Sequence, residues 1–472
     1  MRRVSILTIA LIACGGSSFN GSRDEAFAGA VEANVEGEWE DAVVRTLVYL
    51  STATEDDERY DRAQMILASG LEELGLRYGA ALYYTDVAQS RRNVELIDEA
   101  VAGLERLARG GLVDGDLVLR SFVASEDLSG LRPELADFVY YQRGVDSLRR
   151  GELLWANQSF DAISEESDYG TRATLARAAH EINGGELEKG RELLEGLLGD
   201  EENELTLADE VRVEARLGLA RIALDQERYL DAIRSYEVLQ DIAPERPSLL
   251  LEMAWAHYYR GNYRRSLGLL VALDAPVYQG LIAPERYLLE AYNLRRLCQL
   301  EPARIAARRL RGRHRDALLD LQNGKPPVDS EWLRRAALQR VTVIENARLT
   351  RLTREEIERA TEIAERAGDA GSSLATAYAW AGRRLERRLR NAVDREARTI
   401  ASELVAADDG VRLILHELSV QLLRGRSRPS GPPPRDRIGD IPDGEVAYSF
   451  SGEFWTDELD DLEVIIEDRC LE

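Results

Sequence analysis

Residues 220–244 have the sequence ARIALDQERYLDAIRSYEVLQDIAP, whose pattern is the clearest indication of the fold. The stretch carries small residues at Ala220 and Ala232, aromatic residues at Tyr229 and Tyr236, and a helix-ending proline at its last position. Small and aromatic residues at these spacings are typical of two antiparallel helices joined by a tight turn. The pattern recurs 34 residues later, at Ala254, Gly261, Tyr263, Ser266, Leu270 and Leu273.

The same pattern occurs upstream. Gly144 is predicted to be a close helix contact and Gly151 a turn, while Ala156 and Phe160 occupy packing positions of a second helix. Small residues let two helices approach closely, and aromatic rings fill the space between neighbouring hairpins. Further units are marked by the turn glycines Gly37, Gly75 and Gly185.

A helical hairpin that repeats every 34 residues is typical of the tetratricopeptide repeat (TPR), and residues 27–273 resemble that family. The resemblance implies an all-α fold, a TPR-like helical-hairpin solenoid or α-α superhelix, that binds other proteins or peptides. Arg216 and Leu250 stand where the family has an aromatic residue. An insertion near 199–204 stretches one spacing to 42 residues and is predicted to be an acidic loop. After residue 274 the helices are predicted to continue without the period.

Some members of the family hold a peptide carboxylate with a cluster of lysines. Lys189 and Lys325 are the only lysines among the 61 basic residues. A peptide groove here is therefore expected to use arginine, asparagine or apolar pockets.

Composition excludes some functions. At 472 residues, with 44% hydrophobic and 31% charged residues, the chain is expected to fold and to exceed a single compact core. A net charge of −24 argues against nucleic-acid binding, which needs a basic face. Residues 15–294 carry −25, residues 295–434 carry +9 and residues 435–472 carry −10.

The N-terminus predicts a targeting signal. Arg2 and Arg3 precede a short apolar run that ends in Leu11-Ile12-Ala13-Cys14. The run is too short to span a bilayer and is typical of a secretory signal peptide. Its end resembles the bacterial lipobox, which implies lipidation of Cys14, and Gly15 implies sorting to the outer membrane. The alternative is an ordinary signal peptide with a chance cysteine.

The C-terminal end differs from the helices before it. A proline-rich linker precedes a tail in which Val446, Tyr448 and Phe450 alternate with small residues. A second alternating run, at 462–466, completes the pattern of a small β-hairpin-like tail. Because the tail is acidic and the preceding helices are basic, residues 445–472 are expected to dock on the helices, with Phe454 and Trp455 as apolar anchors. A cap on the end of the repeats is the overlapping alternative.

Three cysteines are present, and Cys298 and Cys470 remain once Cys14 is lipidated. An oxidising compartment permits a disulfide between them, although sequence leaves open whether they pair.

Together these features predict six segments. They are a signal peptide (1–13), a lipidated tether (14–26), TPR-like repeats (27–294), a basic helical region (295–424), a linker (425–444) and the acidic aromatic tail (445–472).

Phe454-Trp455, Asp457-Glu458-Leu459 and Cys470 together resemble the C-terminal signature of envelope TPR lipoproteins of myxobacteria and their relatives, including those of adventurous gliding motility. The resemblance implies a scaffold anchored to the membrane by its N-terminal lipid, facing the periplasm, within a machine for gliding motility or envelope assembly. Its partners would be other envelope proteins or peptides, with no cofactor.

Catalytic motifs are missing from the sequence. The four histidines fall in separate predicted helices, without the spacing of a zinc site, and no phosphate loop or nucleophile elbow occurs. A non-enzymatic role is therefore expected. Two alternatives remain: a lipoprotein of the outer-membrane barrel-assembly type, and a peptidoglycan-associated enzyme or its regulator.

Overall fold

The computed structural model describes residues 22–90, 92–110, 131–164, 166–243, 247–273, 283–425 and 462–471. Within these ranges the chain is helical, and consecutive helices pack in antiparallel pairs. The all-α fold of consecutive helical hairpins is confirmed. The chain divides into two compact units. The first consists of the residues up to Ser167 together with Ala347–Arg388, and the second consists of Asp168–Asn346 and the residues from Leu389 onward.

Among the described residues, the first unit begins with seven helices, α1 to α7. Their bounds are Arg23–Glu36, Trp39–Thr52, Tyr60–Glu73, Arg77–Ser90, Val94–Arg109, Pro133–Arg149 and Leu153–Asp161. In the described part of the second unit, eleven helices come first, α8 to α18. Their bounds are Asp168–Asn183, Leu187–Leu198, Glu201–Thr206, Asp209–Asp225, Tyr229–Ile242, Pro247–Arg260, Tyr263–Ala272, Glu285–Arg296, Leu300–Arg313, Arg315–Gln322 and Glu331–Ala337. Two long helices follow, α19 (Val341–Arg366) and α20 (Ser372–Gly425), and residues 347–388 of these belong to the first unit.

One turn recurs between the two helices of each hairpin. In the turn between α13 and α14, Gly261 has a φ of 91°, and the next amide donates to the carbonyl of His257. This left-handed conformation suits glycine, which lacks a Cβ. Residues with a positive φ occupy the matching place in the other hairpins, namely Gly37, Gly75, Gly151, Gly185, Glu227 and Cys298.

Close packing surrounds Gly144, on α6. A Cβ built at this glycine would lie 2.2 Å from the ring of Phe160, so the ring occupies the space that a side chain would need. Ala156, on the same helix as Phe160, is fully buried. In the second unit, Ala220, Ala232, Tyr236 and Ala254 are also fully buried.

A buried polar network joins three helices of the second unit. Ser266 donates to the carbonyl of Ala254 at 2.7 Å, and the amide of Asn293 donates to Ser266 at 2.9 Å. The hydrogen bonds satisfy groups that would otherwise be costly to bury. This serine, a small-residue position in the sequence pattern, thus links α13, α14 and α15.

The hairpins extend beyond the last recognised repeat. Helices α15 and α16 pack together, and their turn places Cys298 where Gly261 lies in the preceding hairpin. Ala303 and Ala307 are buried in α16, as small residues are in the other hairpins. The boundary drawn from charge at residue 294 falls inside α15, which ends at Arg296.

The insertion near 199–204 is not a simple loop. Gly199 ends α9 in the left-handed region, and α10 then spans Glu201–Thr206. Glu204 is buried and pairs with Arg216, which stands at the position of the missing aromatic residue. The insertion therefore supplies a partner for this arginine.

The described part of the tail is an irregular segment against the second unit. In residues 462–468 no strand is formed, yet exposure alternates with a period of two, which is the side-chain alternation of extended backbone. Val464 and Ile466 pack against the apolar cluster of α15 and α16. The first predicted strand, at 446–450, lies outside the described residues.

Several predicted features lie outside the described residues. These are the signal peptide, Cys14, the linker from residue 426 to 444, Phe454 and Trp455. Among the helices that the structure describes, none has the length and apolar character needed to cross a bilayer.

Candidate functional site

Six aromatic side chains form a continuous surface in the second unit. We call it the aromatic surface, and it consists of Tyr229, Trp255, Tyr258, Tyr259, Tyr263 and Tyr292. Each ring contacts at least one other, with ring centroids 5.4 to 6.3 Å apart. Contacts of this kind stabilise aromatic pairs beyond the burial of their area.

The hairpins place these rings together for a simple geometric reason. Trp255, Tyr258 and Tyr259 occupy positions i, i+3 and i+4 of α13 and therefore project from one side of that helix. Tyr229 and Tyr263 are the first residues of α12 and α14, at the ends nearest the hairpin turns. Adjacent hairpins thus bring their rings to the same place.

Two stacked pairs extend the surface across neighbouring helices. Tyr229 stacks on Tyr259 with ring centroids 5.6 Å apart, and Tyr258 stacks on Tyr292, of α15, at 6.0 Å. Trp255 also stacks on Tyr259, at 5.6 Å. The surface therefore spans three consecutive hairpins.

Five of the six residues are partly buried, and one is exposed. Trp255 and Tyr258 pack partly against the core of α11 to α15, and Tyr263 and Tyr292 pack partly against the next cluster. Tyr259 is the most open of the six and remains 53% exposed. Rings fixed by a core on one side lose little conformational freedom when a partner covers the other side.

Polar groups lie at the edge of the aromatic surface. The guanidinium Nε of Arg296 donates to the hydroxyl of Tyr258 at 3.4 Å. The indole N–H of Trp255 donates to Glu285, whose pKa is raised above its ordinary value, chiefly by burial and then by the nearby carboxylate of Glu403. These groups place a guanidinium cation and a carboxyl group at the edge.

Two phenols of the aromatic surface stay neutral. Partial burial raises the pKa of Tyr259 and of Tyr292 above the ordinary value. Both hydroxyls therefore keep their protons at neutral pH and can donate or accept hydrogen bonds. Apolar ring faces beside neutral hydroxyls suit a partner that is partly apolar and partly polar.

His257 lies between these aromatic residues in the sequence but points into the core. It is buried, and within the described residues neither ring nitrogen has a hydrogen-bond partner. Burial, and then the nearby Arg265 and Arg260, lower the pKa of His257 to about 4. The side chain is thus a neutral core residue near pH 7.

The packing residues identified in the sequence lie either on the aromatic surface or in the core and turns of their hairpins. Tyr229 and Tyr263 belong to the aromatic surface. The others lie in the core or in the turns of their hairpins, as described above. Tyr236 is buried, and its hydroxyl donates to Glu252 at 2.9 Å.

Sequence reasoning missed most of the aromatic surface. Trp255, Tyr258, Tyr259 and Tyr292 were not assigned a shared surface. The available signal was the spacing of the three aromatic residues on α13, which predicts one helix face. The joining of that face to Tyr292 depends on packing between hairpins.

Cys298 and Cys470 are joined by a disulfide, with their Cα atoms 5.1 Å apart. The bond connects the turn between α15 and α16 to the C-terminal segment. Across the described ranges, no group of three or more His, Cys, Asp or Glu side chains is placed to hold a metal ion.

No family model matches this sequence. The search of curated proteins also yields no match.

Proposed function

We propose that this chain is a periplasmic TPR scaffold, anchored to the membrane through Cys14, that binds other envelope proteins or peptides on the aromatic surface. It would hold components of an envelope machine, such as one for gliding motility or envelope assembly, in proximity. The role requires no reaction and no cofactor.

The aromatic surface is the observation that supports the proposal most strongly. Tyrosine and tryptophan are enriched at the energetic centres of protein interfaces. Contiguous exposed apolar surface is also uncommon on proteins that have no partner. Here the exposed ring of Tyr259 lies among five further aromatic side chains that are already ordered by the fold.

The charged edge supports a protein partner. Arg296 and Glu285 lie beside the rings and offer a cation and a carboxyl group. An apolar centre with polar groups at its rim is the usual organisation of a protein interface. The partner segment is therefore expected to place an apolar or aromatic side chain on the rings and polar groups at the edge.

Site-specific photocrosslinking in membranes tests the proposal. A photoreactive phenylalanine analogue is placed at Tyr259 of the full-length chain, and in a matched variant at Trp155, which is 60% exposed on α7 of the first unit. The proposal predicts crosslinks to a defined set of envelope proteins from position 259 and not from position 155. The same set from both positions would mean that the aromatic surface is not the binding site.

A further inference from the structure

The C-terminal segment lies across α14 and the turn after α15. The amide of Val464 donates to the carbonyl of Arg264 at 3.3 Å, and the amide of Arg469 donates to the carbonyl of Leu297 at 3.0 Å. Gln299 donates to the carbonyl of Glu467 at 2.8 Å. The contact is thus formed largely by the tail's backbone and is independent of most of its side chains.

The tail passes very close to α14. A Cβ built at Gly268 would lie 1.8 Å from the carbonyl oxygen of Leu462, so the backbone occupies the space above this glycine. The guanidinium of Arg265 donates to the same carbonyl at 3.0 Å. We call the surface of α14 and the α15–α16 turn beneath the segment 462–471 the tail groove.

The second unit has a core that does not depend on the tail. Leu294, Ala303 and Ala307 are buried between α15 and α16 among many other apolar residues. The tail adds Val464 and Ile466, and both are only partly buried. Removal of the tail is therefore expected to leave most of the apolar packing of this core in place.

Cys298 occupies a place where a side chain is not required for packing. It has a φ of 52° in the turn where other hairpins place glycine. A Cβ built at Gly75, Gly151 or Gly261 meets no atom within 4 Å, so side chains at this turn position project into open space. The described contact of the Cys298 side chain is its bond to Cys470.

The partner cysteine is accessible. Cys470 is exposed, in the short 3₁₀ turn Arg469–Leu471. An attacking thiolate must reach a sulfur of the disulfide, so the exchange rate depends on access to that sulfur as well as on the pKa values of the attacking and leaving thiols. The link is therefore open to exchange at the end that belongs to the tail.

We propose that the Cys298–Cys470 disulfide is a redox-controlled latch that holds residues 462–471 in the tail groove. A dithiol reductant attacks Sγ of Cys470, and the Sγ–Sγ bond breaks with release of the Cys298 thiolate, which takes up a proton. The second thiol of the reductant attacks the mixed disulfide and releases Cys470 as a thiol. The reductant leaves as its own disulfide, so two electrons and two protons reach the protein.

Opening the latch uncovers the tail groove and leaves the helical hairpins folded. The exposed groove includes Gly268 and the apolar surface that Val464 and Ile466 cover in the closed state. The latch rests on the disulfide and on the contacts of residues 462–471, and not on any partner bound at the aromatic surface, so the two proposals are tested independently.

Hydrogen exchange on the full-length chain tests the latch. Exchange of the peptide covering 462–471 is measured by mass spectrometry with the disulfide intact, after reduction with dithiothreitol, and in a Cys298→Gly variant. Glycine is the residue of five matching turns, so this variant is expected to fold. Exchange in 462–471 should rise about tenfold in both open forms, while α15 and α16 stay protected.

Two results would overturn the latch. Unchanged exchange in 462–471 after reduction would show that contacts alone hold the tail. Loss of protection in α15 and α16 would show that the disulfide stabilises the α15–α16 hairpin itself and does not only hold the tail. As a second probe, Gly268→Ala with the disulfide intact should raise exchange in 462–471, because the new Cβ displaces the tail backbone.

Discussion

The hydroxyl of Tyr378 donates a hydrogen bond to the carboxylate of Glu356 at 2.8 Å, and together the two side chains cap the start of α4. The amide of Tyr78 donates to Glu356 at 2.9 Å, and the amide of Gly79 donates to the hydroxyl of Tyr378 at 3.0 Å. The first amides of a helix have no partner within it. Side chains of α19 and α20 supply those partners within the first unit.

Replacing Tyr378 with phenylalanine should destabilise the first unit. The change leaves the buried amide of Gly79 without its acceptor and removes one donor from Glu356. A buried group left unpaired costs about 1–3 kcal/mol. Faster hydrogen exchange in α4 measures the loss, with Trp380→Phe on the same helix as the control. Equal exchange in the two variants would contradict the cap.

Adding a methyl group at Gly144 should destabilise the first unit. The new Cβ would lie 2.2 Å from the ring of Phe160, so the ring must move. Overpacking of this kind costs about 1–3 kcal/mol and outweighs the gain of about 0.5–1 kcal/mol from replacing a helical glycine. Urea denaturation of Gly144→Ala measures the change in the free energy of unfolding.

A second substitution separates packing from backbone strain. Phe160→Leu should recover part of the stability lost in Gly144→Ala, because the smaller side chain makes room for the methyl group. It should not rescue Gly151→Ala, where the strain comes from a φ of 75°. Rescue of both variants, or of neither, would count against the contact.

Two buried histidines should make the protein less stable in mild acid. Burial, followed by the nearby guanidinium of Arg313, lowers the pKa of His314 to about 4, and the pKa of His257 is about 4 as well. An unfolded histidine has a pKa near 6.5. The unfolded chain therefore binds more protons below that pH, and the stability present above pH 6.5 falls as the pH drops toward 4.

His314→Phe isolates this effect. His314 packs against Trp332 with ring centroids 4.4 Å apart, so a phenyl ring preserves the apolar contact. The drop in the free energy of unfolding between pH 7.5 and pH 5 should be smaller than in the unaltered chain by roughly 1–2 kcal/mol. The exposed His416→Phe serves as control. An identical pH dependence in all three proteins would contradict a neutral buried His314.

The lipid anchor is tested at Cys14. If the cysteine carries the lipid, Cys14→Ala should release the protein from membranes and lower its mass by the acyl groups. Fractionation and intact-mass measurement on the full-length chain follow both changes. A variant that stays membrane-bound with an unchanged modification mass would refute lipidation.

The hairpins could be predicted because their signals are local. Gly37, Gly75, Gly151, Gly185 and Gly261 mark turns whose left-handed backbone favours glycine, and all five have a positive φ. The hairpin of α15 and α16 was missed because the distance to its turn, at Cys298, is longer than the repeat period. The lack of glycine is not the obstacle, since Glu227 stands at the matching turn of the hairpin of α11 and α12, which the sequence pattern does predict.

Long-range contacts could not be predicted from local patterns. Thr353 and Glu356 have the spacing of a capping box and suggest the start of a helix, but α19 runs through both. Glu356 instead caps α4, a partner 278 residues away. The ion pair between Glu204 and Arg216 could not be predicted from the sequence either, because the insertion that contains Glu204 has no repeat pattern.

The aromatic surface could be predicted from the sequence only in part. The spacing of Trp255, Tyr258 and Tyr259 predicts a shared helix face, which the structure contains. Their contact with Tyr229 and Tyr292 depends on how neighbouring hairpins pack, which no single hairpin sequence specifies.

The most direct test of the scaffold role is recovery of partners from crosslinked membranes with Trp255→Ala/Tyr259→Ala, compared with Trp155→Ala and the unaltered chain. If partners bind at the aromatic surface, the double variant should recover about tenfold less of the envelope proteins than the unaltered chain, while the Trp155→Ala control retains them. Equal recovery by all three proteins, with the double variant still folded, would contradict binding at the aromatic surface.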